Sequence, residues 1–191
     1  MSHNFLFDAS FHLFLNKLDQ ELANNSLQEG CLFCGGKLHR ANYPRSPLGI
    51  PPEFRDYYDS RLSSCCDDCR KRTTPQSVRF FGRRWYPAPL FILISLLTLG
   101  INKRRLVQIK KYFGLVVRET TWRRWRKWWR DSFTQTQFWP QEKGRLPPTP
   151  AIMQGPYPRV LLDVLEGKLE EKMGLLLRFF APLTGGVLRA I

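Results

Sequence analysis

Five cysteines fall in one loop-rich stretch of the sequence, and four of them stand at the spacing of metal ligands. Cys31-Leu-Phe-Cys34-Gly-Gly is followed, 31 residues after Cys34, by Cys65-Cys66-Asp-Asp-Cys69-Arg. Each Cys-x-x-Cys turn offers two thiolates, and the glycines after Cys34 let backbone N–H groups point at sulfur. Two such turns complete the tetrahedral four-sulfur shell that Zn²⁺ takes at structural sites, so Cys31, Cys34, Cys66 and Cys69 are expected to hold a structural zinc. Cys65 and Cys66 cannot both fill one ligand position. Cys66 has the better knuckle spacing to Cys69, which leaves Cys65 as the alternate and His39, five residues after Cys34, in reserve. A closed shell keeps no open coordination position, so the ion would stabilise the fold and activate no water. A single Cys-x-x-Cys could be a redox pair; two together argue for a metal and for a reducing compartment.

The second chemical feature is charge. The chain of 191 residues carries 30 Lys+Arg against 16 Asp+Glu, a net +14. From Arg70 to Arg130 there are 17 bases and one acid, Glu119, so the whole excess sits in one continuous third of the sequence. A cationic surface of that kind asks for a polyanion, whereas a merely solubilising surface intersperses both signs. Arg70, Lys71, Arg72, Arg79, Arg83 and Arg84 follow the second cysteine pair, where arginines among Thr and Ser hydroxyls suit phosphate oxygens. Lys103, Arg104 and Arg105 come next, and Arg123, Arg124, Arg126, Lys127 and Arg130 crowd one tryptophan-rich segment. All are candidate nucleic-acid contacts.

These groups need elements to position them. Residues 1–27 carry Phe7, Phe11, Phe14, Leu18 and Leu22 at helical spacing, with Asp19 among the residues off that stripe. His3 and His12 lack ligand-type neighbours and are expected at the surface or half-buried. Residues 28–87 are punctuated by Gly and Pro and have little helical period, so metal must substitute for a core there. Within 88–133 the order is an apolar helix ending near Gly100, a second helix with Leu106, Ile109 and Phe113 inward, a turn, and a third helix. On that third helix Trp122, Trp125 and Trp129 form the apolar edge, with Trp128 off it and exposed. That is the order of a helix-turn-helix, with a turn at 115–120 about two residues longer than the standard one. Residues 134–158 are Pro- and Gly-rich and read as a semi-extended linker. Residues 159–191 hold a second amphipathic helix through Leu161, Leu165, Leu169, Met173, Leu176 and Phe180. Neither terminal helix is basic, so both are expected to pack on each other, on the bundle or on a partner chain. The fold class expected is small α+β: a zinc ribbon joined to a helix-turn-helix bundle, with amphipathic helices at both ends.

The run Leu90–Ile101 is the most apolar, but its 12 residues span only about 18 Å as a helix, short of the roughly 30 Å of a bilayer core, so no membrane span is expected. The first residues show no basic leader or apolar run, which makes the cytoplasm the expected location. The parts of an enzyme are missing from the pattern: there is no Gly-x-x-x-x-Gly-Lys loop, no His-hydrophobe-His pair, and one acid in the basic segment for metal-assisted phosphoryl chemistry.

Three stretches carry a likeness. Cys31-Leu-Phe-Cys34-Gly-Gly-Lys-Leu-His39, Cys65-Cys66-Asp-Asp-Cys69 with the basic run to Arg84, and Leu176-Leu-Arg-Phe-Phe-Ala-Pro-Leu-Thr-Gly185 together resemble small bacterial zinc-ribbon and helix-turn-helix proteins, often labelled transposase-related. The resemblance covers most of the chain. It implies nucleoid-associated, mobile-element DNA binding without a known reaction. The expected function is a non-catalytic DNA-binding accessory factor or regulator that favours duplex DNA over RNA; an RNA-binding or nucleoprotein-scaffold subunit is the alternative.

Overall fold

The computed structural model describes residues 4–81, 86–97, 107, 110, 111 and 118–185. They form a small α+β protein of short strands and several helices. The first long element is α1, Ala9–Glu29, opened by Asp8, whose carboxylate accepts the Ser10 N–H at 2.9 Å. Phe11, Leu15 and Leu18 of α1 are buried, and Leu22 packs against the core from its edge. The buried stripe nevertheless differs from the expected one. Phe7 and Phe14 are each 45% exposed, while His12 and Asp19 are buried. The reason is the partner: α1 faces a polar strap, residues 52–80, that supplies hydrogen bonds to both.

That strap begins with the 3₁₀ turn Pro52–Tyr57. Phe54 stacks on the His12 ring with centroids 4.4 Å apart, and Tyr58 Oη lies 2.9 Å from His12 Nδ1. His12 Nε2 is 2.9 Å from the Leu6 carbonyl, which only accepts, so Nε2 holds the proton and Nδ1 accepts from Tyr58. Burial lowers the His12 pKa and raises that of Tyr58. Further along, Asp19 accepts from Ser77 Oγ at 2.6 Å, Val78 N–H at 2.7 Å and Arg79 Nε at 2.8 Å. Arg79, expected to face solvent and nucleic acid, is instead buried in an ion pair with Asp19 and also donates to the Tyr57 carbonyl. A buried guanidinium needs such partners, and having them it is not free for phosphate.

The helical body follows. α2, Ala88–Leu97, buries Leu90, Phe91, Ile92, Leu93 and Ile94. At ten residues it is a core helix, and among the described residues no helix is long and apolar enough to cross a membrane. α3, Glu119–Lys127, runs on into a π turn, Trp128–Ser132, in which the Phe133 N–H donates to the Trp128 carbonyl. The wider turn brings Trp125, Trp129 and Phe133 into the core together. It also draws in Trp128, expected to be exposed, which lies edge-on to Phe81 at 5.8 Å and to Trp129 at 4.6 Å. The side chain of Trp122 lies outside the described residues, as does most of the second expected helix, including Leu106, Ile109 and Phe113; Val107, Lys110 and Lys111 are helical.

Residues 134–158 are no extended linker. They fold into the short helices α4, Phe138–Glu142, and α5, Pro150–Gln154, and bury Phe138, Trp139, Ile152 and Tyr157. Trp139 and Tyr157 both pack on Phe133, at 5.1 and 5.0 Å between centroids. The expected C-terminal helix is broken into α6, Arg159–Asp163, and α7, Leu169–Phe180. Leu161, Met173, Leu176 and Phe180 are buried as expected, and α7 restarts with the Lys168 N–H donating to Glu171 Oε2 at 2.9 Å. Gly174 of α7 lies close against Phe14 of α1, so the two terminal helices meet.

Removing the Asp19 carboxylate strands the Arg79 cation in the core. Asp19→Ala is expected to lose about 3–5 kcal/mol in urea unfolding, and pairing Asp19→Leu with Arg79→Met to recover part of it, since the Val78 N–H stays unpaired. His12 adds a pH dependence. Its folded pKa lies below the 6.5 of the free side chain, so its neutral form stabilises fully above that pH and the contribution is lost as pH falls below it. His12→Phe should flatten the slope of stability between pH 7 and 5; an unchanged slope would remove His12 from the account.

Candidate metal centre and cationic ridge

The cysteine cluster is built on a three-stranded antiparallel sheet ordered β1 (Leu38–Arg40), β4 (Ser64–Cys66), β5 (Arg72–Thr73). A separate two-stranded pair, β2 (Tyr43–Pro44) with β3 (Ser60–Arg61), holds the loop between the cysteine turns. The first turn leaves the end of α1 and closes on itself: Gly35 N–H donates to the Cys31 carbonyl at 2.8 Å, and Cys31 N–H to Gly36 at 2.9 Å. The second turn leaves β4 and returns into β5, with Cys66 N–H donating to the Lys71 carbonyl at 3.0 Å. In each, the residue after the second cysteine is left-handed, Gly35 at φ 73° and Arg70 at φ 58°. Gly36 meets the other turn so closely that a Cβ there would sit 2.0 Å from Asp68 Oδ2 and 3.1 Å from Cys66 Sγ.

This brings together the four cysteines expected. The sulfurs of Cys31, Cys34, Cys66 and Cys69 all lie within 4.8 Å of one another, with Cys31–Cys69 and Cys34–Cys66 both at 3.5 Å. Those separations are too long for a disulfide, whose sulfurs stand about 2.05 Å apart, and fit a tetrahedron with metal–sulfur bonds of ~2.3 Å, whose sulfurs are ~3.8 Å apart. Strand alternation settles the choice that spacing left open. Cys66 is buried facing the cluster, whereas Cys65 points the other way and lies 3.4 Å from the Arg70 carbonyl. His39 pairs with Cys65 across the strands and bonds the exposed Asp67 at 3.2 Å, outside the cluster.

The electrostatics of the cluster suit a cation. The Phe33 N–H, 3.5 Å from Cys31 Sγ, holds that thiol down to about 7. At Cys34 the Gly36 N–H also favours the thiolate, but the neighbouring sulfurs of Cys69 and Cys66 push it up to about 12. A bound cation would let all four sulfurs act together as thiolates. The surrounding apolar cluster is small, with Cys31, Leu38 and Cys66 buried and Leu27 and Cys69 at its edge, so hydrophobic burial gives the sheet little support of its own.

The cationic candidates other than Arg79 divide into four groups. Arg70 and Lys71 are exposed on the second turn, Arg70 3.9 Å from Asp67 and Lys71 with Nζ 4.6 Å above the Phe33 ring. Arg72 is exposed but tied down, donating to the Ala41 carbonyl and to Ser63 Oγ and lying over Tyr43. Arg83, Arg84, Lys103, Arg104 and Arg105 lie outside the described residues. On α3 and its π turn, Arg123, Arg126, Lys127 and Arg130 follow one another at i, i+3, i+4 and i+7 and line one cavity, while Arg124 projects elsewhere. Glu119 bonds Arg123 at 2.8 Å and Asp131 bonds Arg130 at 2.6 Å. Helical spacing in the sequence puts Arg123, Arg124, Lys127 and Arg130 on the free surface of the helix; along the cavity Arg126 takes the place of Arg124, and Ser95, Gln154 and Tyr157, which also line it, come from distant segments that spacing does not connect.

No protein-family model, curated protein or solved structure shows significant similarity to the chain.

The purified protein is expected to contain one metal ion per chain by elemental analysis. Cys34→Ser should abolish both the metal and the cooperative unfolding of the sheet, while Cys65→Ser and His39→Ala keep them. Because every ligand must shed its proton, metal is retained near neutral pH and released as pH falls. Full stability in strong chelator would show that the four sulfurs do not need an ion.

Proposed function

We propose that this chain is a non-catalytic DNA-binding protein, built on a structural zinc ribbon, that serves as an accessory factor of a mobile element or as a transcriptional regulator. The carrying observation is the cationic ridge of Arg123, Arg126, Lys127 and Arg130, against which the described residues set only the exposed Glu119 and Asp131. A stripe of one sign on a helix whose other face is locked into the core by Trp125 and Trp129 repels itself unless a polyanion opposes it. Zinc is the metal that four closed thiolates favour, and with no open position it would act on the fold alone. In the helix-turn-helix reading α2 and α3 are the first and third helices, with α3 presenting its arginines to base edges and the second cysteine turn gripping phosphates through Arg70 and Lys71. The resemblance to transposase-related proteins supports the mobile-element setting.

One observation favours the alternative, an RNA-binding or nucleoprotein subunit. Phe33 stands 57% exposed at the tip of the first cysteine turn beside Lys71, a pairing that suits stacking of unpaired bases.

Duplex binding is expected to weaken steeply with salt, with a log–log slope near −0.9 per phosphate neutralised. Arg123→Ala with Arg124→Ala should cost a selected duplex about tenfold or more in affinity and random duplex much less. Arg70→Ala with Lys71→Ala should weaken both alike. Anisotropy titrations at two salt concentrations give the comparison. Equal losses from both variants on both duplexes would sink base reading by α3, and a preference for structured RNA would establish the alternative.

A further inference from the structure

Beneath the cationic ridge lies a cavity of about 700 Å³, walled on one side by Arg123, Arg126, Lys127 and Arg130 and on the other by the segment 154–157 that follows α5. That volume is in the range of small-molecule sites, about 300–1,000 Å³. Trp129, only 3% exposed, forms part of the wall. Its indole Nε1–H is buried without a hydrogen-bond partner, and so is Nε of Arg126 beside it on the same wall.

Two orphaned donors on neighbouring residues that line one cavity are informative. A buried N–H without an acceptor costs about 1–3 kcal/mol, and natural structures rarely tolerate it. Neither group can accept a hydrogen bond, so whatever satisfies them must bring acceptor oxygens or nitrogens. The described lining residues include no acid, while four of them are cations, so an acceptor that carries negative charge is favoured there. Tyr157 contributes its ring, since its hydroxyl already donates to the Ile152 carbonyl. The aromatic surface of Trp129 and Tyr157 therefore adjoins a donor-rich, positive wall. A phosphoryl group next to a planar ring fits that division, with the oxygens on Arg126 and Trp129 and the ring on the aromatic side.

We propose that this cavity is a binding site for the phosphoryl group of a nucleotide-sized ligand, either a free nucleotide or the terminal phosphate of a nucleic-acid strand. The assignment stands apart from duplex recognition: the cavity can take a phosphoryl group whether or not α3 reads a groove.

Calorimetric titration of the full chain with inorganic pyrophosphate, with AMP, and with one short single-stranded oligonucleotide carrying either a 5′-phosphate or a 5′-hydroxyl tests it. Binding at one site per chain is expected, weakened tenfold or more by Arg126→Met and several-fold by Trp129→Phe, which keeps a ring and deletes the donor. Lys17→Met, which removes an exposed cation of α1 outside the cavity, should stay within twofold of the unaltered chain. Should Trp129→Phe fail to fold by circular dichroism, the contrast between Arg126→Met and Lys17→Met decides. No saturable binding of any probe at millimolar concentration, or equal losses from those two variants, overturns the site. Tighter binding of the 5′-phosphorylated strand than of AMP identifies a strand end; equal binding of the two oligonucleotides with tight AMP identifies a free nucleotide. Phosphoryl binding without duplex binding would sink the DNA-binding reading alone, and duplex binding without it would sink this proposal alone.

Discussion

A single buried carboxylate fastens the cysteine-bearing half of the protein to its helices. Asp19 sits in the middle of α1 with its side chain fully buried, and its three hydrogen bonds all go to consecutive residues, Ser77, Val78 and Arg79. Those residues lie between the second cysteine turn and α2, so the carboxylate fixes where the chain leaves the sheet and at what angle it enters the core. Arg79 then passes its backbone carbonyl to the Ala88 N–H at 2.7 Å, and Phe80 bridges to Pro87, which sets the first turn of α2. The same helix α1 ends in the first cysteine turn. One element therefore holds both ends of the cysteine-bearing segment.

The cysteine cluster was legible in the sequence because its chemistry is local: ligand spacing, glycines and loop composition lie within a few residues of each sulfur. The choice of Cys66 over Cys65 agreed with knuckle spacing, and the strand register supplied the reason. Helix α1 was legible as a helix, yet its buried face differs from the Phe and Leu stripe, since such a stripe takes no account of a partner that offers hydrogen bonds. Asp19 and His12 are buried by what Ser77, Arg79 and Tyr58 donate to them, and those lie 46 to 60 residues away.

The same limit explains the other differences. Trp128 depends on a π turn, which shifts register by one residue in a way that a 3.6-residue period does not anticipate. The prolines and glycines of residues 134–158 suggest an extended linker, although Phe138, Trp139, Ile152 and Tyr157 carry enough apolar surface to demand burial. In Arg79 the sequence pattern concealed a structural ion inside a run of solvent-facing ones: composition counts cations, and only packing separates a buried guanidinium from a free one.

The strap that Asp19 secures has a second fastening, in which Ser77 N–H donates to Thr184 Oγ1 at 2.6 Å across 107 residues of sequence. Ribosomal synthesis delivers these partners in a fixed order. Asp19 and the first cysteine turn emerge early, the second turn and Ser77 much later, and Thr184 only after α2, α3 and α7. A nascent chain can assemble its sulfur cluster while the strap is held at one end alone, and the helical core closes over it when α7 and the residues after it have cleared the exit tunnel. Contacts of such long range make folding slow and leave the aromatic surfaces of α2 and α3 uncovered in the interval. Phe81 and Trp129 gain their contact with Phe180 only after the C-terminal segment has been made.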